Sequence, residues 1–154
     1  MPEVLFYHLE RRTLEDVLPS LLEKTRTRGW KANVRVGSAE RMEVLDNHLW
    51  TFSDQSFLAH GTSADGRSSR QPVYLTTEDD DPNDAEVLFL VDGAVVGNWT
   101  GANSAKFERI VLLFDGGNPN ALNEARTAWK SAKEAGHQVT YWKESSGGRW
   151  EKQE

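Results

Sequence analysis

Residues 109–142 decide the fold, and they read RIVLLFDGGNPNALNEARTAWKSAKEAGHQVTYW. Arg109 to Phe114 is almost continuously apolar, which is typical of a strand covered on both faces. Asn118 can cap a helix, and Gly136 stands where a left-handed residue ends one. Val139 to Trp142 then returns as a strand. These signals predict a strand, a helix and a second strand in succession.

The remainder of the chain alternates in the same way. Thr13 marks a helix start and Gly29 its end, while Pro19 predicts either a later start or a bend. Ser38 opens a second helix whose apolar residues share one face. The predicted strands here are Val4–Leu9, Ala32–Val36, Val73–Thr76 and Val87–Val91. The alternation predicts an α/β fold with a mainly parallel sheet and helices on both of its faces.

Length and composition indicate one soluble domain. The chain has 154 residues, within the usual size of a single domain. It contains no cysteine, which excludes disulfides and thiolate metal sites and suits a reducing cytosol. Its apolar runs are far shorter than the roughly 18 residues that span a bilayer. The polar end of the chain predicts a domain at residues 1–143 and a flexible tail at 144–154.

The charge of the chain argues against extensive contact with nucleic acid. The formal net charge is −6, so the field of the whole molecule repels a phosphate backbone. We therefore expect any DNA contact to be local or indirect. Part of the negative charge lies in residues 78–86, which we interpret as a solvated loop because they lack the ligand spacing of a calcium loop.

The candidate catalytic motifs are weak. Residues 50–72 are predicted as mostly loop, and within them Gly61–Ser68 imitates a P-loop with Arg67 in place of the lysine and without a helix after it. Asp115 and two glycines follow a strand, where α/β sheets place ligands, but we favour a turn whose glycines adopt positive φ. The histidines lack the spacing of a zinc site. We expect no catalytic residue, cofactor or metal ligand, and a nucleotide-binding enzyme using either segment is the alternative.

Two stretches have the composition of binding surfaces. Trp50 and Phe57 follow the end of a helix, where large aromatic side chains either cover the core or anchor a partner. The final helix carries Arg126, Lys130 and Lys133 at i, i+4 and i+7, beside an apolar stripe that includes Trp129. From the residues alone we favour a solvated helix face, whose cations complement the helix dipole, over a site for an acidic partner.

Three segments carry a resemblance to a known family. They are FYHL at 6–9, LDNHLWTFSDQSFLAHG at 45–61 and ALNEARTAWKSAKEAGHQVTYWKE at 121–144. With these blocks the chain resembles the chi subunit of bacterial DNA polymerase III over nearly its whole length. The resemblance implies a single-domain, Rossmann-like three-layer fold. It also implies a non-catalytic accessory subunit of the clamp-loader assembly. That assembly belongs to the cytoplasmic replisome and to a DNA-directed DNA polymerase, which is a nucleotidyltransferase complex.

The resemblance also implies two partners. The small psi subunit is expected to bind at Trp50 and Phe57. The acidic, phenylalanine-ending C-terminal tail of single-stranded DNA-binding protein is expected on the last helix. The residues implied for the tail are Arg126, Trp129 and Lys130, with Asp115 at the edge and Lys133 as an auxiliary charge. A further basic position of the family, one turn before Arg126, is Leu122 in this chain.

Overall fold

The computed structural model describes residues 2–51, 59–66, 68–96, 99–145 and 149–153, with only the backbone at 102 and 103. In these ranges the strands are β1 (Glu3–Leu9), β2 (Ala32–Val36), β3 (Gly61–Thr62), β4 (Val73–Thr76), β5 (Val87–Val91), β6 (Arg109–Asp115), β7 (Gln138–Glu144) and β8 (Trp150–Lys152). The helices are α1 (Leu14–Thr27), α2 (Ala39–Thr51), α3 (Ala102–Ala105) and α4 (Pro119–Glu134).

The described strands form one sheet in the order β3-β4-β2-β5-β6-β1-β7-β8. Neighbouring strands run parallel, except that β8 is antiparallel to β7. Helices α1 and α2 bury Leu18 and Leu45 against one face, and α4 packs Ala125 against the other. The expected three-layer α/β fold with a mainly parallel sheet is therefore confirmed. In the described ranges, no helix is long and apolar enough to cross a membrane.

Alternation along β1 decides which side chains face which layer. Leu5 and Leu9 belong to the core beneath α1 and α2, whereas Val4 and Phe6 belong to the core beneath α4. Because side chains two residues apart lie on the same face of a strand, His8 also faces the α4 layer. This strand therefore delivers one histidine to the end of the sheet beside α4.

Helix α1 begins before Pro19 and includes it. Thr13 caps the helix with a capping box, and the helix begins at Leu14. Pro19 has no backbone N–H for the carbonyl of Glu15, four residues earlier. The Nε2 atom of His48, on α2, lies 2.6 Å from that carbonyl oxygen and takes the place of the missing donor. The prediction of a later start is wrong because a side chain from the neighbouring helix satisfies this carbonyl.

Residues 50–72 contain more regular structure than the predicted loop. Helix α2 continues to Thr51, and β3 pairs parallel with β4. Two short 3-10 turns, Ser63–Asp65 and Ser68–Arg70, follow β3. A P-loop requires an α-helix directly after it, whose N-terminal amides face the phosphates. The described backbone lacks that helix here, and Arg67 lies outside the described residues.

Residues 144 and 150–152 belong to the sheet. Glu144 ends β7 and is buried, and its carboxylate accepts from the backbone N–H groups of Arg11 at 3.1 Å and Arg12 at 3.2 Å. In β8, the ring of Trp150 contacts Tyr7 with 4.8 Å between the ring centroids. The predicted boundary between residues 143 and 144 thus falls inside a strand, and residues 150–152 pair with β7 where the sequence predicts a frayed tail.

The acidic stretch 78–86 is tied to the sheet. The Asp80 carboxylate accepts from the hydroxyl of Tyr74 at 2.8 Å. Asp81 forms a salt bridge with Lys106, with 3.3 Å between the carboxylate oxygen and Nζ. The expectation of a solvated loop is therefore wrong for these two carboxylates, which connect the loop to β4 and to the segment before β6.

Candidate partner-binding surface

Helix α4 has defined ends and a buried inner face. Asn118 caps it by accepting from the backbone N–H groups of Asn120 at 3.0 Å and Ala121 at 3.3 Å. Gly136, with a φ of +90°, ends it as the sequence predicts. Ala125 is buried beneath it, and the small side chain brings the helix close to the sheet. The larger side chains of α4 are therefore displayed on its flanks.

Trp129 lies on the flank that faces β7. Its ring packs edge-on against Phe6, with 5.4 Å between centroids, and against Tyr141, with 5.7 Å between centroids. The Lys133 Nζ lies 4.8 Å from the centroid of the Trp129 ring, within the range of a cation–π contact. Trp129 is partly buried, so it offers an apolar area that is fixed from below and bordered by a cation.

Arg126 and Lys130 stand one helical turn apart beside Trp129, and both are exposed. In the part of the chain that the structure describes, neither forms a salt bridge. Together with Trp129, Lys133 and Tyr141 they form what we call the α4–β7 surface. An exposed aromatic area lined by cations is suited to an acidic ligand that also carries an apolar group.

Asp115 lies at the end of β6, next to this surface, and is exposed. Its carboxylate accepts from the backbone N–H of Gly117 at 2.9 Å and so stabilises the turn into α4. The glycines of this turn are not at positive φ, contrary to the prediction. Instead, a Cβ on Gly116 would lie 1.7 Å from His8 Nε2. The residue must be glycine because the histidine ring packs directly on its backbone.

His8 joins a polar network that the sequence did not reveal. Its Nδ1 lies 2.5 Å from the hydroxyl oxygen of Tyr141, and its Nε2 lies 3.3 Å from a carboxylate oxygen of Glu10. The same Glu10 oxygen is 3.3 Å from the Lys143 Nζ. Alternation along β1 and β7 could have indicated that His8 and Tyr141 face α4, but not that they touch across 133 residues of sequence.

The ionisation of this network follows from burial and nearby charge. Burial lowers the pKa of His8 below its ordinary value, and Glu10 and Asp115 only partly oppose that decrease. Burial raises the pKa of Tyr141, and the positive charge of Arg126 opposes the increase. Both groups are therefore mainly neutral near pH 7. Arg126, whose charge acts on Tyr141, connects the network to the α4–β7 surface.

The comparisons with known proteins agree with this architecture. Residues 1–140 match the family described as DNA polymerase III chi subunit, HolC. The chain belongs to this family. A probable DNA polymerase III subunit chi from Rickettsia prowazekii (strain Madrid E) is 26% identical over 117 residues, which cover 75% of this chain and 71% of that protein. As a chi-family chain, it is an accessory subunit of DNA polymerase III that acts in DNA replication.

The α2 end of this chi-family chain displays a second aromatic group. Trp50 is 50% exposed, and its ring packs on His60 with 4.1 Å between centroids. Val44, nearly two turns earlier on α2, is 46% exposed. The interpretation of Trp50 as a cover of the core therefore explains its buried half but not its exposed half. Phe57 lies outside the described residues.

A cleft of about 720 Å³ opens at the carboxyl ends of β1, β5 and β6 and includes Asp115. Its guanidinium groups are largely engaged, since Arg41 forms salt bridges with Glu15 and Asp92, and Arg12 forms one with Glu144. Carboxylates outnumber guanidinium groups along its lining. This charge balance disfavours a phosphate group, so the cleft lends no support to the nucleotide-binding alternative. Among the described residues, no group of three or more His, Asp or Glu side chains could hold a metal ion.

Proposed function

We propose that the α4–β7 surface binds the acidic, phenylalanine-ending C-terminal tail of single-stranded DNA-binding protein, and that the chain thereby connects DNA polymerase III to DNA covered by that protein. The chain does so without catalysis of its own. The observation that carries the proposal is the Trp129 ring, fixed by Phe6 and Tyr141 beside the two exposed cations Arg126 and Lys130.

The chemistry of the surface matches that of the tail. An aromatic side chain at the end of the tail gains by covering the partly exposed Trp129 ring. The terminal carboxylate and the aspartates gain charge-assisted hydrogen bonds from Arg126 and Lys130. Lys133, whose Nζ lies over Trp129, adds positive charge at the same place. Leu122 provides no charge, so this chain relies on the three cations that follow it.

The expected affinity is moderate. Two charge-assisted hydrogen bonds contribute about 1.5–3 kcal/mol each, and a buried aromatic ring contributes a comparable amount. The loss of translational and rotational freedom offsets part of this gain. The contributions sum to about 4.5–9 kcal/mol before that cost, so we expect binding no tighter than micromolar, about −8 kcal/mol. Affinity in that range suits a contact that must form and release repeatedly at a moving replication fork.

Titration with a fluorescent peptide tests the proposal. The peptide carries several aspartates and ends in phenylalanine with a free carboxylate. We expect Arg126→Ala and Lys130→Ala each to weaken binding about tenfold, because each removes one charge-assisted hydrogen bond at an exposed site. Lys24→Ala is the matched control, since it removes an exposed cation from α1 on the other face of the sheet. Equal affinity of all four proteins would refute the site.

We also propose that the exposed end of α2 contacts the psi subunit. Trp50 and Val44 are half-exposed apolar side chains on α2, and the Trp50 ring is of the kind that anchors a partner. We expect Trp50→Ala to reduce copurification of psi at least tenfold while the tail peptide still binds with unchanged affinity. Retention of psi by that variant would contradict the assignment.

A further inference from the structure

The contact between His8 and Tyr141 adds His8 to the α4–β7 surface. We infer that, when His8 is protonated, Tyr141 donates its hydroxyl hydrogen to a carboxylate of the bound acidic tail, and that His8 is the positioning residue that controls the direction of this hydroxyl. The inference rests on the proposed tail-binding function and specifies how that surface recognises an anion.

The first step is the tautomer of neutral His8. Its Nε2 faces the Glu10 carboxylate at 3.3 Å, so a lone pair on that nitrogen would be repelled and a proton on it is attracted. The proton of the neutral ring therefore resides on Nε2. The Nδ1 atom is then an acceptor, and the Tyr141 hydroxyl, 2.5 Å away, donates to it. In this state the hydroxyl hydrogen is directed inward.

The second step is the effect of protonation. A protonated His8 carries hydrogen on both ring nitrogens, so Nδ1 can no longer accept. It donates to the Tyr141 oxygen instead, and the hydroxyl hydrogen turns to its other in-plane position. This hydrogen then points away from His8, and Arg126, whose charge already influences Tyr141, adds its positive charge to the same region. One proton on His8 thus adds both a positive charge and an outward donor to the surface.

The charged groups around His8 decide when this happens. Glu10 at the end of β1 and Asp115 at the end of β6 favour the protonated ring, whereas Lys143 on β7 disfavours it. From α4, Arg126 acts on Tyr141 rather than directly on the ring. Burial dominates, so the ring is mainly neutral at pH 7 in the free chain. A carboxylate bound at Tyr141 would favour the protonated ring and raise the pKa of His8.

Linkage then fixes the sign of the pH dependence. Because binding raises the pKa of His8, the complex takes up protons, and affinity rises as pH falls. Burial lowers the pKa of His8 in the free chain, so the increase in affinity develops on the acidic side of neutrality. Because at most one proton is taken up, the affinity rises by no more than about tenfold per pH unit.

Titration of the acidic peptide at pH 8 and pH 5.5 tests the inference in the full chain. We expect the wild type to bind several-fold more tightly at pH 5.5 than at pH 8. His8→Gln and Tyr141→Phe should each lose most of that increase, measured as the ratio of each variant's own affinities at the two pH values. Arg126→Ala weakens binding at both pH values. His48→Gln, on the opposite face of the sheet, is the matched control and keeps the increase.

The outcomes separate the inference from the function on which it rests. Wild-type binding that does not vary with pH, or an increase retained by His8→Gln, would overturn the inference and leave tail binding intact. Absence of peptide binding at every pH would overturn both. Nitrogen NMR of the free chain at pH 8 gives a second readout, independent of the peptide: a proton on Nε2 of His8 is expected, and a proton on Nδ1 contradicts the proposed geometry.

Discussion

At the scale of single residues, Pro19 and His48 show how a sequence that breaks a rule can fold normally. A proline inside a helix costs about 3 kcal/mol, partly because one carbonyl loses its donor. Here that carbonyl belongs to Glu15, and His48 contacts it at 2.6 Å through Nε2. From local rules alone, the proline predicted either a later start of the helix or a bend. The donor that makes it tolerable comes from α2, 33 residues away from Glu15, and no local rule contains it.

This contact makes His48 and Pro19 dependent on each other. We expect His48→Phe to lower the free energy of unfolding by about 1–3 kcal/mol, because the Glu15 carbonyl is then left without a donor. In a Pro19→Ala background, the helix regains a backbone N–H that donates to this carbonyl, so the same change should cost less. Urea unfolding of the four proteins in this cycle gives the coupling. Additive effects would show that His48 does not replace the missing donor.

The residues that we propose to bind the tail can be grouped from the sequence, whereas the network of His8 and Tyr141 behind them cannot. Arg126, Lys130 and Lys133 share one flank of one helix, so periodicity alone groups them, and their clustering is confirmed while their role remains a proposal. His8 and Tyr141 lie on two strands that pair only in the folded sheet. Their contact depends on register, which a single sequence does not specify.

At the scale of elements, β7 joins the candidate surface to the rest of the sheet. Its end is fixed by Glu144, which accepts from the backbone of Arg11 and Arg12 and pairs with the Arg12 side chain. Burial alone would raise the pKa of Glu144, but these hydrogen bonds outweigh it and hold the pKa below its usual value. The loop that leads into α1 and the strand that carries Tyr141 are thereby held together by one carboxylate.

The lowered pKa of Glu144 sets the pH range in which this contact stabilises the fold. A carboxyl group with a lower pKa in the folded state stabilises it above its unfolded pKa of about 4.3, and this contribution disappears as pH falls through the folded pKa. We expect Glu144→Gln to lower the free energy of unfolding by about 1–3 kcal/mol at pH 7, and by progressively less as pH falls below about 4.3. Denaturant unfolding across this range measures the difference.

Glu134→Gln provides the comparison for that experiment, since it makes the same change at an exposed position at the end of α4. It should change the unfolding free energy by less than about 0.5 kcal/mol at every pH. A constant difference between Glu144→Gln and the wild type at all pH values would contradict the role given to the carboxylate.

Sequence predicts the elements whose ends are marked by nearby capping residues. It does not predict the short strands that depend on hydrogen bonds from a neighbouring strand. Helix α4 starts at a capping asparagine and ends at a glycine, both of which act within one turn of the chain. Strand β3 has two residues and β8 has three, and each exists because a neighbouring strand supplies its hydrogen bonds. Segments of that length carry no periodicity that a sequence can show.

At the scale of the whole molecule, the net charge of the chain and the local charge of one helix have opposite signs. The net charge of −6 disfavours nonspecific binding to DNA. The cations of α4 reverse that sign locally, so an acidic tail is attracted to one flank of one helix. In the function we propose, the chain would link DNA polymerase III to DNA through a protein that binds DNA, without competing for the DNA itself.

The most direct test of this account measures binding of the full chain to intact single-stranded DNA-binding protein by calorimetry. A matched form of that protein lacks only the final phenylalanine. The account predicts micromolar binding to the intact protein, a loss of at least about tenfold when the phenylalanine is removed, and a similar loss with Arg126→Ala. Unchanged affinity after removal of the phenylalanine would contradict the central claim that the α4–β7 surface binds the end of the tail.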